Sequence, residues 1–164
     1  MDAWLLVTMC VLGGMAALAL VWLAAVAAQR FVLKSLERRL RPRVERRYAA
    51  ENILLASYEA DFFGLESRGL GQVRGNGALA LTPGELYFIQ AVLGREVVIP
   101  LEDITAVSVV RSHLKKWVPR DLLRVDYRTP EGPEAAAWFV YDPSGWKEVL
   151  EAARAVLEAG AHRG

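Results

Sequence analysis

The spacing of hydrophobic residues along this chain changes three times. From Ala3 to Ala28 no charged residue occurs. From 29 to 50, Leu33, Leu36 and Leu40 recur at helical spacing among arginines. Beyond Glu51 the period falls to two, as in half-buried strands. After Asp142 it returns to helical.

Each pattern predicts an element. An uncharged helix over 3–28 is about 39 Å long at ~1.5 Å per residue, enough to cross a hydrocarbon core of ~30 Å. A cleaved signal peptide needs positive charge ahead of the apolar run, and only Asp2 precedes it. Residues 1–28 are therefore expected to be a transmembrane anchor, with Trp4 in the outer interfacial belt. The next stretch, 29–50, reads as a juxtamembrane helix. Its Arg30, Lys34, Arg38, Arg39 and Arg41 suit contact with anionic headgroups, and Pro42 predicts a break or kink.

Seven short strands follow. They are expected over Ile53–Phe63, Ala78–Thr82, Glu85–Ala91, Arg95–Ile99, Ile104–Val110, Leu122–Arg128 and Ala135–Tyr141, with Pro83-Gly84 and Pro130–Pro133 as turns. Asp142 fits an N-cap and Pro143 a first helical position. The helix they open carries Trp146, Val149, Leu150, Ala153 and Leu157 on one stripe, suited to closing the end of a small barrel.

Charge sharpens this division. Residues 29–50 hold eight basic side chains against two acidic ones; residues 51–164 hold twelve against sixteen. A mildly acidic domain is not a nucleic-acid binder. The basic flank after the apolar run places the C-terminal part in the cytoplasm and the N-terminus outside, by the positive-inside rule. The single cysteine, Cys10, lies in the apolar run, so no disulfide forms within the chain.

Catalytic chemistry is hard to find. His113 has no nearby Cys or second His for zinc. No serine sits in a nucleophile elbow, and no phosphate loop follows a strand. We expect no enzyme, no metal and no cofactor. Two loops carry polar groups instead. The first, Glu66–Gly77, has Arg68, Gln72, Arg74 and Asn76 among glycines, with Asn76-Gly77 read as a turn. Those groups either meet an anion or tie down their own loop. The second runs from Arg111 to Trp117, with His113, Lys115 and Lys116. It reads as a membrane or anion contact, or as a solvated tip whose Leu114 and Trp117 cover the barrel end.

The run Gly77–Thr82 followed by Leu86-Tyr87-Phe88 resembles the start of a GRAM or pleckstrin-homology (PH)-like domain. So do Ile99–Val107, and Phe139, Asp142-Pro143 and Trp146 at the join of last strand and helix. Phe62–Gly69, with Gln72, Arg74, Gly75, Asn76 and Gly77, also resembles bacterial membrane-tethered GRAM-like proteins of unestablished function. The resemblance covers about residues 51–158. It implies a mainly-β PH-like barrel of about seven strands, capped by a C-terminal helix and occupying residues 51–164. It also implies that Arg68 and Arg74 approach Arg111, Lys115 and Lys116 at one end of the barrel. The function implied is a membrane-anchored binding module for an anionic lipid headgroup or a partner membrane protein. A scaffolding subunit with no small ligand is the other reading.

Overall fold

A computed structural model describes residues 3–161. The chain divides into two units, residues 1–35 and 36–164. One helix, α1 (Ala3–Arg47), supplies the described part of the first and the opening of the second. Its apolar part has a mean hydropathy of 1.9 with none of that window buried, so α1 is long and apolar enough to cross a membrane. Leu18, Leu20 and Trp22 are all at least 66% exposed, unlike the side chains of a core helix.

The helix does not break at Pro42 but continues to Arg47. Proline removes its own N–H bond to residue 38, and its ring crowds that residue's carbonyl. Arg38 is exposed, so water can serve the orphaned carbonyl, and the Arg46 Nε donates to the Pro42 carbonyl at 3.0 Å. On either side of the proline, Leu40 and Val44 are fully buried. They pack with Ala78, Ala80, Tyr87 and Ile89 on the outer face of the sheet, flanked by Leu36, Tyr48 and Tyr58. Residues 36–50, read from sequence as a juxtamembrane helix, are thus part of the compact unit. Arg47 reinforces the join through Glu96 at 3.1 Å and by lying 4.7 Å over the Tyr87 ring.

The seven strands are β1 (Leu55–Leu65), β2 (Gly75–Leu81), β3 (Glu85–Gln90), β4 (Glu96–Pro100), β5 (Ile104–His113), β6 (Lys116–Thr129) and β7 (Gly132–Phe139). All neighbours pair antiparallel, in the order β4-β3-β2-β1-β7-β6-β5. The long β1 joins both halves of the sheet and shifts register between Phe62 and Gly64 against β7. Such bulges bend a strand and let a sheet curl over its own core. A short 3₁₀ turn, Leu101–Asp103, links the two edge strands β4 and β5.

Inside lie the rings of Phe62, Phe88 and Trp138, with centroids 5.0–6.1 Å apart, among Leu79, Leu123 and Val125. Helix α2 (Pro143–Ala161) covers this core with Trp146 and Leu150. Its start is capped as expected: the Asp142 carboxylate accepts from Gly145 N–H at 3.0 Å. The rest of the apolar stripe behaves differently. Val149 and Leu157 stay 38% and 37% exposed and line an open groove with Leu54, Pro83, Ala152 and Val156.

Candidate functional site

The segment 111–117 is not a loop. Strands β5 and β6 run through it, pairing Ser112 with Trp117 and His113 with Lys116. Only Leu114 and Lys115 form the turn, at φ 54° and 60°. Two consecutive left-handed residues define the hairpin turn that matches strand twist, a place usually taken by Asn-Gly. Leucine and lysine adopt it at a cost of about 1–2 kcal/mol each. Lys115 and Lys116 project from the tip with no carboxylate partner among the described residues, while Trp117 is 70% exposed. Trp117 therefore does not cover the barrel end. Arg111, in contrast, is paired with Asp121 at 2.7 Å.

His113 pins the hairpin. Its ring is buried, with Nε2 3.0 Å from the Gly64 carbonyl oxygen at the end of β1. A carbonyl only accepts, so Nε2 carries the proton. Burial pushes the imidazole below its ordinary pKa; the Gly64 bond opposes this, while Arg124 and Arg74 add to it. Its Nδ1 is enclosed without a partner.

The Glu66–Gly77 segment is largely tied down by its own polar groups. The Gln72 side chain accepts from Leu65 N–H at 2.7 Å and donates to the Leu65 and Gly69 carbonyls at 2.7 and 2.6 Å. It lies over Gly64, where φ is +116° and a β-carbon would come within 2.5 Å of its Cδ. Glu66 pairs with Arg124 at 2.7 Å. Glu134 accepts from the Ser67 hydroxyl and, at 3.0 Å, from its N–H. Burial alone would raise the Glu134 pKa, but these bonds and that from Ala135 N–H hold it below the usual carboxylate range. Asn76-Gly77 is not a turn: both residues lie in β2, opposite Asp61 and Ala60 of β1.

The two arginines of this segment part company. Arg74 has Nε and Nη2 enclosed and unpartnered. Arg68 is exposed and lines a recess with Val73, Gln90 and Arg95 beside β3 and β4. That recess holds about 60 Å³, small beside the ~300–1,000 Å³ of ordinary ligand pockets. Among the membrane-contact residues expected from sequence, Trp4, Arg30, Lys34, Arg38 and Arg39 are exposed on α1. Arg41 is held by Glu37 and Glu45 and lies 4.8 Å over Tyr58.

No protein-family model matches this sequence, and no curated protein sequence matches it. Solved structures do. A chain in "The 8S snRNP Assembly Intermediate" superposes with a TM-score of 0.50 at 12% identity, over 63% of this chain and 83% of that one. The Vps36 N-terminal PH domain gives 0.48 at 12% identity, over 65% and 81%. The C-terminal domain of an unknown protein from Leishmania infantum gives 0.44 at 14%, over 62% and 83%. At these identities the likeness concerns fold alone. The chain itself shows seven antiparallel strands followed by a C-terminal helix.

Proposed function

We propose that this chain is a bacterial single-pass membrane protein of GRAM type. Its non-enzymatic PH-like domain binds an anionic lipid headgroup, or the acidic surface of a partner membrane protein, through the β5–β6 hairpin. The observation that carries this reading is the tip itself: an unfavourable backbone is kept where Lys115, Lys116 and Trp117 are displayed. Strain retained against local preference marks functional segments. A tether gives even a weak site a high effective concentration of membrane ligand.

The test is flotation of residues 36–164 with anionic and neutral vesicles. Each exposed cation near an anionic surface contributes about 1 kcal/mol. Replacing Lys115 and Lys116 with Gln, together with Arg111→Gln, is expected to weaken binding by one to two decades, taking ~1.4 kcal/mol per tenfold. Arg111 contributes least, because Asp121 already neutralises it. No flotation of the unmutated domain at low salt contradicts the lipid reading.

The groove beside α2 supports a second reading, the scaffolding subunit. It is lined by Leu54, Pro83, Val149, Ala152, Val156 and Leu157 and encloses about 750 Å³. An apolar helix of a partner chain fits that chemistry.

A further inference from the structure

A cleft of about 330 Å³ opens between the Glu37–Arg41 turn of α1, the start of β1 and the end of β7. Its size is at the low end of ordinary ligand pockets, ~300–1,000 Å³. Three aromatic rings line it, Tyr58, Phe139 and Tyr141, together with the carboxylates of Glu37 and Glu59 and the guanidinium of Arg41. Tyr141 stands 99% exposed at its edge.

The protein already seats its own guanidinium groups on two of these rings. Arg41 lies 4.8 Å over Tyr58 and is held by Glu37 and Glu45. Arg120 lies 5.0 Å over Phe139. An aromatic face attracts a cation through its quadrupole, and a planar guanidinium also stacks on it. A carboxylate alongside accepts from the same group's N–H donors. Tyr141 and Glu59 supply the same two partners with no cation of the chain between them. Among the described residues neither side chain has an ion pair, a hydrogen bond or a ring contact. Arg41 is matched by Glu37 and Glu45, so Glu59 leaves the cleft with a surplus negative charge.

We infer that this cleft receives an arginine side chain of a partner protein, with its guanidinium stacked on Tyr141 and paired with Glu59. The volume admits a side-chain head and not a folded element. Free arginine fits less well, because its α-carboxylate needs a cation and the Arg41 of the lining is already held by two carboxylates. Lysine fits less well too, since a compact ammonium neither stacks nor forks. The surface is separate from the β5–β6 hairpin, and the inference depends neither on that hairpin nor on the tether.

The experiment is fluorine NMR of the full-length chain, labelled with 3-fluorotyrosine and held in dodecyl maltoside. Tyr141→Phe assigns the Tyr141 resonance, and the other four tyrosines report that each variant is folded. The probes are the capped tripeptides acetyl-Gly-Arg-Gly-amide and acetyl-Gly-Lys-Gly-amide, and free arginine. We expect the arginine peptide to shift the Tyr141 resonance saturably, and more tightly than either other probe. Glu59→Gln is expected to weaken that binding about fivefold, the upper range for an exposed ion pair. Lys115→Gln/Lys116→Gln is expected to leave it unchanged. A Tyr141 resonance that does not move, or that moves equally in Glu59→Gln, overturns the site. Equal binding of the lysine peptide overturns the assignment to guanidinium, and equal binding of free arginine overturns the assignment to a protein side chain.

Discussion

At Gly77 a β-carbon would sit 2.2 Å from the Ile89 carbonyl oxygen and 2.6 Å from the Phe88 ring. Neither neighbour can retreat, since one is ladder backbone and the other core. Gly77→Ala is expected to lower the stability of residues 36–164 by about 1–3 kcal/mol, read as a lower denaturant midpoint. His113 makes a pH-dependent contribution. Its pKa is depressed in the folded state, so the unfolded chain binds more protons between the folded value and the ordinary one near ~6.5. Stability is full above that value and declines as pH falls through the window below it. His113→Gln retains a donor for Gly64 and is expected to flatten that decline, measured as denaturant midpoints from pH 7.5 to 5.5. An unchanged slope would remove the histidine from the account. Sequence alone marked His113 as a group without metal partners. Its bond to Gly64 joins positions 49 apart, a distance no local pattern reports.

Among elements, the strands and α2 were legible because their signals are local. Alternation, apolar runs and turn residues marked seven strands, and Asp142-Pro143 marked the helix start. What escaped were the ends that long-range pairing decides. Strand β6 starts at Lys116 rather than Leu122, because it pairs with β5 up to the turn. Strand β2 starts at Gly75, because the glycines there admit the side chains of β3. The basic segment after residue 28 hid its second role. Leucines at helical spacing look alike whether they face lipid, solvent or a sheet. Leu40 and Val44 face the sheet, so a fragment beginning at residue 51 bares the outer faces of Tyr87 and Ile89. We expect residues 36–164 to unfold cooperatively on heating. Residues 51–164 should be less stable, and Leu40→Ala in the longer fragment should cost about 2–5 kcal/mol. Equal melting of the two fragments would make this part of α1 an appendage.

For the whole molecule, the location of charge changes once the boundary moves. Residues 51–164 carry four more acidic than basic groups, yet residues 36–164 carry eighteen of each. The domain meets an anionic surface without a net opposing charge, so its local basic groups act less hindered than the sequence division implies. Only part of the candidate site was readable beforehand. Lys115, Lys116 and Trp117 stand exposed together, whereas Arg74 has two guanidinium nitrogens enclosed. Arg68 falls on the other side of its loop, beside Arg95 and the apolar β3–β4 turn. A side chain's direction out of a glycine-rich loop depends on what the loop packs against, here Gln72 and Glu134, and that packing leaves no periodic trace. All these surfaces act at a membrane only if α1 crosses one. The most direct measurement is alkaline carbonate extraction of membranes from cells expressing the full chain. The account predicts that the chain stays in the pellet and that removal of residues 1–35 moves it to the supernatant. Release of the full chain by carbonate would contradict the tether, and with it the reading of this protein as a membrane-anchored binding module.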